Sequence, residues 1–197
     1  VLTHRIAWLI QVEGVSPLGI LAVTFTNKAA AEMRGRVQEL LDMPVNHLWI
    51  GTFHGLAHRL LRRHAQDAGL PEGFQILDAE DQQRLIRRLL KNLDLDENTW
   101  VPREVQWFIN HHKDEGLRAA QLKDDGDETR RQLIRLYALY QETCDKGGLV
   151  DFAELLLRAF ELWKNNPEIL AQYRRRFRHI LVDEFQDTNA IQYAWLR

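Results

Sequence analysis

The apolar pattern of this chain changes period several times. The stretch GILAVTF (19–25) is apolar almost without a break, as a strand covered on both faces is. NKAAAEMRGRVQELL follows, with Ala30, Met33, Val37 and Leu41 at helical spacing and Thr26 or Asn27 placed as the cap. HLWIGTF (47–53) reads as a second short strand, so strand, helix and strand make a parallel βαβ unit with a right-handed crossover. HILVDEF (179–185) has the same buried-strand character and is expected in the same sheet, although it arrives far later in the sequence.

Between these strands the period is helical almost throughout. HGLAHRLLRRHAQDAG places Leu56, Leu60, Leu61 and His64 on one side and ends at Gly69. Asp78 is placed to cap AEDQQRLIRRLLKNL, whose Leu85, Ile86, Leu89, Leu90 and Leu93 face inward. REVQWFINHHKDEG stops at Gly116, and ETRRQLIRLYALYQETCDKGG stops at Gly147-Gly148. DFAELLLRAFELW opens on a box-like Asp151 and Glu154, and NPEILAQYRRRF on Asn166 as cap with Pro167 at the first helical position. At the start, Val1, Leu2, Ile6, Leu9 and Ile10 share one helical face. The chain begins inside that pattern without an initiator Met, so a fragment of a longer protein is expected. The pattern as a whole predicts an α/β class: a parallel sheet interrupted by a mainly helical insertion. KDDGDE (123–128) reads as an exposed loop.

Composition narrows the classes. With 197 residues, 45% of them hydrophobic, the chain can bury one large or two small cores. A formal net charge of -2 shows no basic excess, so any nucleic-acid contact must come from local patches. The single cysteine, Cys144, rules out an internal disulfide framework and fits a reducing cytoplasm. No apolar run spans a membrane and no signal-peptide pattern opens the chain, so no membrane partner is expected.

The chemistry concentrates at strand ends. In ILVDEFQDT a buried-type run stops at Asp183-Glu184, and two carboxylates there are costly unless something cationic or reactive meets them. An Asp at such an end can hold Mg²⁺, mainly through water, and the adjacent Glu can deprotonate an attacking water. The bland alternative is an acidic strand end that caps the next helix. In VTFTNKAAAEM, Thr24, Thr26, Asn27 and Lys28 gather where a strand turns into a helix, a setting that suits phosphate oxygens. Phe25 among them either stacks on a base or fills the core. GTFHGLAHRLL repeats the arrangement with Thr52 and His54, which are either backbone-phosphate contacts or a helix cap and an ordinary histidine. The run YRRRFRH reads as a solvated face, and the adjacent His111 and His112 cannot face one metal from a helix as an i, i+4 pair would.

Four motifs in order, VTFTNKAAAEM, GTFHGLAHRLL, GLVDFAELL and ILVDEFQDT, resemble the UvrD/Rep/PcrA family of superfamily-1 DNA helicases over essentially the whole chain. The resemblance implies a RecA-like P-loop NTPase sheet. Residues 1–53 and 177–197 would be part of a first motor domain lacking its phosphate loop, and residues 54–176 the helical inserted domain. It implies ATP and Mg²⁺ as cofactors and single-stranded DNA and single/double-strand junctions as partners, with repair proteins beside them. It also implies 3′→5′ unwinding in repair and replication, in the bacterial cytoplasm. Asp183 would help hold Mg²⁺ and the nucleotide, Glu184 would be the catalytic base, and Gln186 would link nucleotide state to the motor. Phe25 would stack on single-stranded DNA, with Thr24, Asn27, Thr52 and His54 along its backbone. Asp151 and Phe152 would be architectural. No G-x-x-x-x-G-K-[ST] occurs in the chain, so by itself it is expected to be inactive and to bind neither ATP nor Mg²⁺ tightly. The competing readings are the motor part of a helicase–nuclease, a DNA- or partner-binding module without turnover, and a metal hydrolase built on Asp183, Glu184 and Asp187.

Overall fold

The computed structural model describes residues 1–197. In chain order its main elements are α1 (Leu2–Gln11), β1 (Ile20–Thr24), α2 (Asn27–Leu41), β2 (Trp49–Thr52), α3 (Phe53–Arg63), β3 (Gln75–Leu77) and α4 (Ala79–Asn92). They continue with α5 (Pro102–Asp114), α6 (Glu128–Gly147), β4 (Leu149–Asp151), α7 (Phe152–Asn165), α8 (Pro167–Arg176), β5 (His179–Val182) and α9 (Ala190–Leu196). Two compact units result: Val1–Leu60 with Leu162–Thr188, and Leu61–Glu161 with Asn189–Arg197. The divisions fall inside α3, inside α7 and between Thr188 and Asn189, whereas boundaries were expected at 53/54 and 176/177 with 177–197 in one piece. A continuous helix gives no change of period to mark where its neighbours change. No helix is long and apolar enough to cross a membrane.

The first unit is built on a parallel sheet of order β2-β1-β5. β1 lies between its partners and is buried along its length, which accounts for its unbroken apolar run. The late strand β5 pairs directly with β1, Ile20 opposite His179 through Val23 opposite Val182. The core beneath combines Ile6 and Leu9 of α1, Met33 and Val37 of α2, and Leu48 and Ile50 near β2. Thr26, not Asn27, caps α2, its Oγ1 accepting the Ala29 N–H at 3.0 Å. β2 is an edge strand. Arg34 donates to the Ile50 carbonyl at 3.0 Å, and Arg59 to those of Leu48 at 2.8 Å and His47 at 3.0 Å, so guanidinium groups take up acceptors along it.

The second unit packs α4, α5 and α6 around Ile86, Leu90, Ile109, Tyr137 and Tyr140. It also holds a parallel pair, β3 with β4, that the helical pattern did not anticipate. Strands of three residues are too short to show a two-residue period. The predicted helix to Gly69 ends at Arg63; turns follow, and Gly69 at φ +71° closes them. Asn166 stands at the N-cap of α8, but its side chain donates to the Leu162 carbonyl instead of capping.

The box-like start of α7 is only half a capping box. Asp151 accepts the Glu154 N–H at 2.7 Å, but the Glu154 carboxylate turns away into a buried ionic cluster. Lys113 Nζ lies 2.8 Å from Asp151 and 2.7 Å from Glu154, with all three side chains essentially inaccessible. Arg118 and Arg158 also reach Glu154, and Tyr140 donates to Asp151 at 2.6 Å. Burial pushes Lys113 toward the neutral amine, but the charges of Glu154 and Asp151 outweigh it and hold the ammonium above its ordinary value. Burial likewise works against the Glu154 carboxylate, and Lys113 and Arg118 overcome it, holding that group well below the usual range. Nearby, burial raises the Cys144 thiol to about 12, so it stays protonated.

Candidate nucleotide and nucleic-acid site

Ligands of open α/β sheets bind beyond the carboxyl ends of the strands. In the first unit β1 ends at Thr24, β2 at Thr52 and β5 at Val182. Thr24 lies opposite Thr52. The Asp183 N–H donates to the Val23 carbonyl at 2.9 Å, carrying the ladder one residue past β5. Neighbouring strands run about 5 Å apart. The sheet order therefore brings all the sequence-predicted residues to one edge, with the acidic group on one side of β1 and the hydroxyl, amide and imidazole group on the other.

On the acidic side, the partly exposed Asp183 carboxylate is engaged by no hydrogen bond or ion pair. Glu184 adopts φ +51°, ψ +46°, a left-handed conformation uncommon for a residue with a side chain. Such a conformation costs about 1–3 kcal/mol and persists where its surroundings enforce it. It stops β5 and throws the chain into a short 3₁₀ turn, Phe185–Asp187. That turn brings Gln186 back onto Glu184, its Nε2 donating to Glu184 Oε2. Asp187 contributes its N–H to the Glu184 carbonyl at 2.9 Å, and its side chain is exposed.

No group of three or more His, Cys, Asp or Glu side chains is placed to hold a metal ion. The acidic edge is thus not a protein cage for a metal. Mg²⁺ does not require one: it keeps several waters and takes one or two carboxylates together with substrate phosphates. The open oxygens of Asp183 fit that donor set.

On the other side of β1, Thr24 is buried, and Thr52 Oγ1 accepts the Gly55 N–H at 3.0 Å. Thr52 therefore does serve as a cap for the start of α3. The Phe25 ring is half-buried, 5.3 Å from the fully buried Phe53 and tilted 57° to it. Phe25 is neither a closed core residue nor a free one: Phe53 supports it and part of it remains accessible. Asn27 is exposed in the first turn of α2. Burial lowers the pKa of His54, which disfavours its charged form, and the neutral ring can still donate a hydrogen bond.

Asn27 and Thr52 border a cavity of about 270 Å³ whose other polar lining includes Arg34, Asn46 and Arg59 and no acidic side chain. These three residues were not legible as site residues. Arg34 and Arg59 sit on helices like any surface arginine, and only the path of β2 brings them to the cavity.

Residues 1–197 match the family model described as the UvrD/REP helicase N-terminal domain. The chain is 61% identical to DNA helicase II of Escherichia coli (strain K12), covering all of this chain and 27% of that protein. It is 59% identical to DNA helicase II of Haemophilus influenzae, covering all of this chain and 28% of that protein. It is 40% identical to the ATP-dependent DNA helicase PcrA of Leuconostoc citreum, covering 98% of this chain and 26% of that protein. The chain thus spans little more than a quarter of the length of these relatives. With the family model matching it from end to end, the chain belongs to the UvrD/REP helicase N-terminal domain family.

Proposed function

We propose that this chain is part of the first motor domain, with its helical insertion, of an ATP-dependent DNA helicase. Residues 1–53 and 177–197 would serve the motor and residues 54–176 the insertion. The observation that carries the reading is the shared carboxyl edge of β2, β1 and β5. It sets an acidic pair suited to nucleotide hydrolysis beside a hydroxyl, amide and aromatic group suited to a nucleic-acid strand. The helicase names of the relatives support the same assignment. The 3′→5′ direction, the repair and replication roles, repair-protein partners and the bacterial cytoplasm enter the proposal from the family likeness alone.

In this reading Glu184 accepts a proton from the water that attacks the terminal phosphate. Its left-handed backbone turns the carboxylate out of the strand, and the Gln186 amide fixes one oxygen so that the other faces the water. Asp183 would hold Mg²⁺, its carboxylate being open to a hydrated cation. When bound, the ion neutralises charge on the phosphate oxygens. Gln186 touches the base directly, so any movement of that amide changes how the carboxylate is aimed. This makes Gln186 the link between nucleotide state and the motor. Across β1, Phe25 stacks on an unpaired base, and Thr24, Asn27, Thr52 and His54 line the strand's backbone.

The backbone N–H groups and lysine of a phosphate loop, which a nucleotide's phosphates need, have no counterpart motif in this sequence. Residues 1–197 alone are therefore expected to show no DNA-stimulated ATP turnover above a buffer control. Robust turnover by the purified chain would contradict the division of the site proposed here. In the full-length protein, Phe25→Ala should weaken single-strand binding by about 1–3 kcal/mol, the value of one stacked base. His54→Ala should act more mildly and without regard to base sequence, as a backbone contact does. Titration of a labelled single strand checks both, and unchanged affinity in a folded Phe25→Ala protein returns that ring to a packing role against Phe53.

A further inference from the structure

Helix α5 carries an exposed aromatic feature that the proposed site does not use. Trp107 is 64% exposed, unusual for the largest apolar side chain. Its ring stacks on His111, with centroids 4.7 Å apart and planes 9° from parallel. Arg103, Trp107 and His111 follow one another at four-residue spacing and form one row along the helix. Gln106, Asn110 and Asp114 form the neighbouring row, and the two rows line a groove of about 270 Å³.

The groove is held firmly. Gln83 of α4 donates to Gln106 at 2.8 Å, Gln82 donates to Asn110 at 2.8 Å, and Gln106 donates to the Ala79 carbonyl at 2.9 Å. His111 is steadied by Glu115 at 3.5 Å. A platform fixed in this way loses little conformational freedom when a ligand binds. His111 covers one face of the indole. Arg103, one turn before Trp107 in the same row, lines the groove as well, and its guanidinium has no hydrogen bond or ion pair. Asn110 keeps donor and acceptor capacity beyond its pairing with Gln82. Asp114 closes the far end, where an anion is repelled.

A ligand matching this sequence of groups has an anion at one end, a flat aromatic ring in the middle and hydrogen-bonding edges beside the ring. We infer that the α5 groove docks one unpaired nucleotide of a DNA strand. Its base stacks on the open face of Trp107, its edge meets Asn110, and its phosphate lies at Arg103. The inference rests on the DNA-helicase reading above and adds to it a strand contact on the second unit.

The test uses the full-length protein and a fluorescently labelled short oligothymidylate. Trp107→Ala should weaken binding about 5- to 150-fold, the range for loss of one stacked base, and Trp107→Phe should restore most of it. A strand carrying 5-iodouracil should crosslink on irradiation to the peptide containing Trp107 and His111. Phe25→Ala serves as the reference for the site on the first unit. If Phe25→Ala weakens binding while Trp107→Ala matches the unaltered protein, the groove proposal is overturned and the DNA reading stands. If neither variant binds less tightly, the DNA reading itself has failed. If free thymidine monophosphate displaces the Trp107-dependent part of the binding alone, the groove takes free nucleotides and the strand assignment is overturned.

Discussion

Glu184→Gln in the full-length protein should lower DNA-stimulated ATP turnover by about 10²–10⁴, the usual cost of losing general-base help. Glutamine keeps the size of the side chain and can still accept the hydrogen bond from Gln186, so the local turn should survive. What it loses is the capacity to take a proton from water. If Glu184 acts as proposed, in the transition state alone, binding of nucleotide and of DNA should change little. Rates measured with saturating ATP and single-stranded DNA check this. Turnover within a few-fold of the unaltered protein would show that the base lies elsewhere.

A comparably large effect on stability is expected far from that edge. Replacing Lys113 with Met should destabilise the chain by about 3–5 kcal/mol, because it leaves buried carboxylates without their ammonium partner. Arg118 and Arg158 still reach Glu154, so Asp151 is the group left with Tyr140 and a backbone N–H alone. A native domain is stable by only about 5–15 kcal/mol, so such a loss is easily resolved by denaturant titration followed by circular dichroism. A change below about 1 kcal/mol would mean that the cluster contributes little net stability, as some buried ion pairs do. Adding Asp151→Asn to the Lys113 variant should recover part of the loss. The pH dependence has a definite sign. Glu154 is held below its unfolded value, so its contribution is fully present above the ordinary glutamate range and is lost as pH falls through its lower folded value. Lys113 is held above its unfolded value, so its contribution is present below the ordinary lysine range and is lost as pH rises through the higher folded value. Between those limits the cluster's contribution should be flat.

β1 was legible because it is buried on both faces, whereas β5 was expected to be equally buried and is only partly so, with Ile180 45% exposed at the sheet's other edge. Unbroken runs such as ILAV and HILV have few alternative fates, and the parallel pairing follows from a helix between the first two. The acidic edge was legible because carboxylates that end such a run are costly and therefore conspicuous. Their conformation was not, since nothing in Asp-Glu-Phe-Gln-Asp announces a left-handed Glu184 or the return of Gln186 onto it. The three-residue strands β3 and β4 escaped because period needs length. The role of Glu154 was misread from local spacing. A glutamate three residues after an aspartate satisfies the capping pattern, but a buried lysine and arginine remote in sequence claim its carboxylate. Trp107 was not singled out from the sequence, because the spacing of apolar residues does not show that this ring stays at the surface beside a groove.

The division of labour between the two strand-end carboxylates is tested most directly by nucleotide affinity at varied Mg²⁺, measured in the full-length protein for Asp183→Asn and Glu184→Gln side by side. Asp183 offers open oxygens to a hydrated cation, whereas Glu184 is already engaged by Gln186 and is aimed by its own backbone. Asp183→Asn should therefore weaken nucleotide binding in the presence of Mg²⁺ and flatten its dependence on the ion, while Glu184→Gln binds as the unaltered protein does. Equal loss of Mg²⁺-dependent affinity in both variants, or no loss in Asp183→Asn, would contradict the account.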